Sequence, residues 1–181
     1  VVLNATTGAI DTAFTGRLIN ALSGGVPVVR TLDVQGGWLY AAGVFTHSTG
    51  GTSSVQSYTR GAVRFNVTNG TPDGTWNPEF NGTVMSVDAS AQGDRAYFAG
   101  FFTMSKSRPA DKAAAMSAAN TDLFNWSVVF SNRSSGRTGY QQAVLEVGDK
   151  VWLGGSEHSL FSYSRDNLTL VSSSVGNAGG D

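Results

Sequence analysis

Two histidines and one adjacent carboxylate are the side chains of this chain best suited to proton transfer near neutral pH. His47 and His158 are its only histidines, and Glu157 stands directly before the second. An imidazole titrates near neutrality and a neighbouring carboxylate can orient it, so Glu157-His158 suits proton transfer or the binding of a polar ligand, with His47 as a second candidate. No third ligand stands at a zinc-type spacing, and there is no cysteine, so thiolate metal sites, cysteine nucleophiles and disulfides are excluded. Ser23-Gly24-Gly25 lacks the Lys-Ser/Thr that follows a phosphate-binding loop and reads as a turn. No acidic pair recurs as hydrolysis of a polysaccharide would require. The reading therefore assigns no catalytic residue, no metal and no cofactor.

Trp38, Trp76, Trp126 and Trp152 could stack on sugar rings if they stood at loop ends. All four fall in or beside predicted strands, where packing in the core is the expectation. Asn-x-Ser/Thr triplets begin at Asn4, Asn66, Asn69, Asn81, Asn125, Asn132 and Asn167. In a eukaryotic secreted protein these would be glycosylation acceptors. In a bacterial one they are turn chemistry, with Asn tolerating the left-handed region and Thr entering the next strand.

The elements that must carry these residues are repeated. Residues 95–103, Arg-Ala-Tyr-Phe-Ala-Gly-Phe-Phe-Thr, have near copies at 39–46 and 151–156. Each signature strand follows a glycine turn, Gln35-Gly36-Gly37, Gln92-Gly93-Asp94 or Val147-Gly148-Asp149, which predicts a tight hairpin. Before each hairpin strand (26–34, 83–89, 141–147) lies a less regular segment, 12–22, 74–80 or 124–130, expected as a further strand. A short strand running into an Asn/Thr/Gly turn recurs at 2–8, 63–70, 115–121 and 160–167. The expected units are 2–62, 63–114 and 115–159, with a fourth beginning at 160–181, all within one domain over 1–181. Residues 48–57, 109–112 and 131–137 read as exposed loops, and the Ala-rich stretch 109–119 allows a turn or two of helix at most.

Glycine (23 residues) and a high Ser/Thr content, beside a charged fraction of only 14%, agree with many short strands and tight turns. The net charge of −1 offers no field for nucleic acid or an anionic membrane, and no apolar run reaches membrane-spanning length. The fold class expected is all-β: about three four-stranded antiparallel β-propeller blades, a partial propeller completed by the rest of a longer chain or by other subunits. Aligned on the repeat, Glu157-His158 replaces the Phe-Thr of Phe45-Thr46 and Phe102-Thr103. Those phenylalanines should be buried between units and the Glu-His pair should sit at a solvent edge.

Tyr-x-x-Gly-x-Phe-Thr at 40–46 and 97–103, with Asn-x-Thr-x-Gly-Thr-x-Asp-x-x-Trp-Asn-Pro at 66–78, resembles the delta-60 repeat family of bacterial β-propellers. A fungal cell-surface polarity-marker propeller is the rival resemblance. The delta-60 resemblance implies a secreted or cell-surface location and supplies no catalytic residues. The function expected is a non-catalytic extracellular module binding a glycan, surface polymer or protein. The alternatives are the scaffold of a secreted polysaccharide hydrolase or lyase, and a structural subunit of a surface appendage or virion.

Overall fold

Hairpin turns set the architecture. In the computed structural model, which describes residues 2–128, 139–156 and 159–175, Gly36 and Gly37 take φ of 57° and 81°, the left-handed pair that a two-residue connection requires. They join β2 (Val28–Gln35) to β3 (Trp38–Val44), which follow the short β1 (Arg17–Ile19). Gly93 and Gly148 serve the second and third hairpins, β7 (Val84–Ala89) with β8 (Arg95–Gly100), and β12 (Gln141–Val147) with β13 (Lys150–Gly155). A third antiparallel strand completes each sheet: β6 (Ala62–Asn66) on β3, β11 (Ala113–Ser117) on β8, and β14 (Ser159–Ser164) on β13. β15 (Leu170–Val175) adds a fourth strand to the last. Two smaller sheets stand apart: β4 (His47–Gly50) between β1 and β5 (Ser53–Tyr58), and β9 (Met104–Ser105) with β10 (Arg108–Pro109). Among the described residues the pairing is antiparallel throughout, no sheet closes on itself and there is no helix.

The sequence repeat has a structural cause. One residue bulges from each hairpin strand, Arg30, Met85 and Gln142, and the backbone just before it presses a carbonyl against the facing strand. A Cβ on Gly43, Gly100 or Gly155 would lie 2.0 Å from Val28 O, 2.2 Å from Thr83 O and 2.3 Å from Tyr140 O respectively. Only glycine fits there, which is why it is the shared residue of the signature. The turn after the third strand repeats too. Gly70, Thr121 and Leu168 donate to the carbonyls of Asn66, Ser117 and Ser164, as Gly8 does to Asn4, and all four have positive φ.

The sheets straddle the sequence units, because β6, at the start of the second unit, pairs with β3 of the first. Four strands per unit holds only for the last sheet. In the first two, the fourth strand shrinks to the single bridges Phe65 to Pro72 and Met116 to Leu123; Pro72 has no N–H to extend a ladder. The less regular segments also depart from expectation. β1 is the only strand in 12–22, 74–80 contributes one bridge at Phe80, and 124–128 forms none. Asp73 and Asn77 account for the second case, since their side chains accept from the N–H of Thr75, Trp76 and Glu79 and so occupy donors a ladder would use. Residues 48–57 are no loop but most of the β4–β5 hairpin. The Ala-rich stretch is no helix either: it ends β10 at Pro109 and contains all of β11, whose Ala114 faces the first sheet while Ala113 and Ala115 face the third.

Among the described residues three clusters form the core. The first lies between the first and second sheets, where Tyr40, Ala42 and Ala62 meet Val87, Phe98 and Met116. The second places Tyr97, Ala99 and Ala115 against Val151, Leu153 and Tyr163 of the third sheet. The third covers the opposite face of the first sheet with Phe14 and Leu18. Both signature phenylalanines are buried: Phe102 lies in the cluster between the first and second sheets, as the repeat predicts, whereas Phe45 lies in the cluster on the opposite face of the first sheet. Trp76 is buried as well, at 1% exposure.

Candidate functional site

His47 opens β4. Its Nδ1 lies 2.9 Å from Thr46 Oγ1 and its ring meets Tyr58 edge-on at 5.5 Å. Glu157, His158 and Asn132 lie outside the described residues. Among the other triplet asparagines, the side-chain oxygens of Asn4, Asn66, Asn69 and Asn167 accept from backbone N–H groups two residues on, as turn-forming asparagines do. Asn81 differs: it holds the N–H groups of Thr103 and Met104 and donates to Thr103 Oγ1. Asn125 is exposed.

A charged network that the sequence reading did not find crosses the seam between the second and third sheets. Arg165, buried after β14, donates to Glu146 Oε2 at 3.1 Å and to Ser90 Oγ at 3.0 Å, and pairs closely with Asp94. Arg95 donates to Asp94 at 2.9 Å and to the carbonyl of Arg165 at 2.8 Å, its guanidinium lying 4.3 Å over the Phe124 ring. Burial pushes the Asp94 carboxyl up, but the hydrogen bond and charge of Arg95, with Arg165 behind it, outweigh burial and hold it below the ordinary value. The neighbouring Tyr97 hydroxyl is buried without a partner, and burial, then Glu146, raise it far beyond the ordinary phenol. Each charge here has a partner of opposite sign and the phenol stays protonated, so the network braces the seam and holds no group poised for proton transfer.

Asp94 also faces the next seam. Between the first and second sheets, at the hairpin-turn end, a groove of about 400 Å³ is walled by Gln35, Trp38, Tyr40, Arg64 and Asp94. Arg64 is fixed at four points: two bonds to Asp73 Oδ2 (3.0 and 2.6 Å), one to the carbonyl of Ala118 (2.5 Å), and the Trp38 ring 4.6 Å beneath its guanidinium. Burial raises the Asp73 carboxyl, yet bonds from Thr75 and Arg64 bring it below the ordinary value. Trp38, only partly buried, is thereby held as an aromatic wall beside a carboxylate and an amide. That combination suits a hydroxyl-bearing ligand with an apolar face. A second depression, of about 380 Å³, lies at the opposite end of the same seam, with Asn20, Ser23, Thr46 and Arg60 on its wall.

Neither the family models nor the curated proteins compared with this chain give a match. The signal for the groove was present in the sequence. Arg64 interrupts the apolar run Val63-Arg64-Phe65, and the aligned positions in the other units are Ala115 and Ser162, so one unit departs from the repeat at its most buried strand. No helix among the described residues is long and apolar enough to cross a membrane, and those residues hold no cluster of three or more metal-ligating side chains.

Proposed function

We propose that the three main sheets are blades of a β-propeller of the delta-60 type and that the chain is a non-catalytic module of the cell surface or extracellular space, binding a glycan or surface polymer through its hairpin-turn end. The groove carries this reading, because Trp38 is immobilised by Arg64 at a polar, solvent-open seam. A rigid ring loses little entropy when a sugar face settles on it, and Asp94 and Gln35 supply directional partners for hydroxyls. The repeated bulges, glycines and turns agree with the blade reading, and short, partly covered edges are what blades present.

A polysaccharide and oligosaccharide array tests it. Binding should fall about tenfold or more with Gln35→Ala or Trp38→Leu, for a loss of about 1.4 kcal/mol or more, while the far-ultraviolet β-sheet spectrum stays unchanged. Incubation with a bound polymer should release no reducing ends. An array with no binding, or binding indifferent to both substitutions, would overturn the groove as the site, and polymer turnover would favour the enzyme scaffold.

A further inference from the structure

The two ends of the seam between the first and second sheets differ in charge. At the hairpin-turn end, Arg64 is neutralised by Asp73, and the groove also carries the Asp94 carboxylate. At the opposite end the depression of about 380 Å³ has Arg60 on its wall, and among the described residues no carboxylate stands there with it. Arg17, Arg30 and Arg108 likewise lack an ion pair among the described residues, but all three are exposed, whereas Arg60 is half-buried. Water stabilises a cation on open surface; one drawn partly into the protein is better stabilised by an anion.

Local structure holds Arg60 in place. Its N–H donates to Asn77 Oδ1 at 3.2 Å, its carbonyl accepts from the Phe80 N–H at 3.1 Å, and Nη2 donates to the Asn81 carbonyl at 3.3 Å. That single side-chain bond leaves the rest of the planar fork uncommitted. The fold does not demand a cation at this position. Gly61 and Lys112 accept alike from the N–H groups of Gly43 and Gly100, which aligns Arg60 with Asp111, and Asp111 pairs with its own neighbour Lys112. Around the fork stand further uncommitted groups. Among the described residues the side chains of Asn20, half-buried, and Thr83 make no hydrogen bond, and Ser23 Oγ accepts only from the Gly25 N–H, at 3.4 Å. Leu22, 67% exposed, and Phe80, fully buried, give the same depression apolar surface.

We propose that this depression binds a sugar acid through its carboxylate. A carboxylate matches the two-pronged geometry of the Arg60 fork, which a neutral hydroxyl does not. Asn20, Ser23 and Thr83 pair with ring hydroxyls, and Leu22 lies against the C–H face of the ring. Its volume falls in the range of small-ligand clefts, about 300–1,000 Å³. The Asp94 carboxylate disfavours the same anion at the hairpin-turn end, so the two ends of one seam select different ligands. This site does not depend on the hairpin-turn groove being a binding site.

Nuclear magnetic resonance titration of the isotope-labelled chain with galacturonic acid and with galactose tests it, because the two share a ring and differ in the carboxylate. At neutral pH galacturonic acid should shift the amide resonances of Asn20, Gly61 and Thr83 and bind about tenfold or more tightly than galactose, with the preference shrinking as salt is added. Arg60→Gln should abolish the preference, and Arg60→Lys should keep part of it, since a point charge lacks the fork. Asn20→Ala, in a turn outside the strands, should weaken galacturonic acid about threefold or more with the remaining spectrum unchanged. Equal binding of the two sugars, no shift with either, or a preference that survives Arg60→Gln would overturn the site. Shifts gathered on Gln35 and Trp38 would assign the acid to the hairpin-turn groove and overturn the site equally, whereas a failure here leaves glycan binding at that groove standing.

Discussion

At the scale of single residues, the signature glycines and the turn glycines serve different physical ends, and substitution separates them. Gly100→Ala places a methyl 2.2 Å from Thr83 O, an overlap that backbone must relieve, at a cost of about 3 kcal/mol or more. Gly93→Ala meets open space but must hold φ at 73°, so about 1 kcal/mol is expected; urea denaturation of the two variants should show the first as clearly less stable. Asp73 gives a pH dependence. Its carboxyl is held below the ordinary value of 3.8 in the folded chain, so its contribution is fully present above that value and fades as pH falls through the folded one. Asp73→Asn should therefore flatten the acid limb of the stability curve as pH falls below the ordinary carboxylate range, followed by circular dichroism.

At the scale of elements, the seams depend on side chains that cap the free edges of neighbouring hairpin strands. Asp88 shows how the cap works. Burial, and then the charges of Asp33 and Glu146, raise its carboxyl against the hydrogen bond from the Glu146 N–H. A raised folded value means that the ionised form is the unfavourable one, so its penalty grows as pH rises through that value. Asp88→Asn keeps the acceptor and removes the charge, and should leave stability at neutral pH unchanged or higher. Asp88→Ala orphans the N–H and should lose about 1–3 kcal/mol, with denaturant midpoints as the measure. The β4–β5 hairpin shows the opposite relation between sequence and element. Its Ser, Thr and Gly composition reads as a loop, yet Ser48 and Thr59 are fully buried and hydrogen-bonded to each other at 3.0 Å, because β1 supplies a ladder from 30 residues upstream.

At the scale of the whole molecule, one buried arginine ties the last strands to the second sheet. Arg165→Met would leave Glu146 and Asp94 without their shared cation, and about 3–5 kcal/mol of stability should be lost because a buried carboxylate stays uncompensated. Thermal melting checks this, and the double variant Arg165→Met with Glu146→Leu should recover part of the loss.

What the sequence by itself determined was local or repeated. The tight turns followed from Gly36, Gly37, Gly93 and Gly148, the buried strands from their unbroken apolar runs, and the buried phenylalanines from their recurrence at one repeat position. These are legible because backbone sterics and strand burial act within a few residues. Segment 74–80 was misread as a strand because Asp73 and Asn77 compete for its backbone donors, a choice that composition leaves open. Only the tertiary structure decided which distant groups meet. Arg165 finds Asp94 across 71 residues of chain, and Asp33 finds the Ala89 N–H across 56. The groove of Trp38 and Arg64 likewise exists only where two sheets come together. Such pairings depend on how sheets stack, which burial of apolar faces drives without direction, and the polar partners are fixed only once the stack has formed.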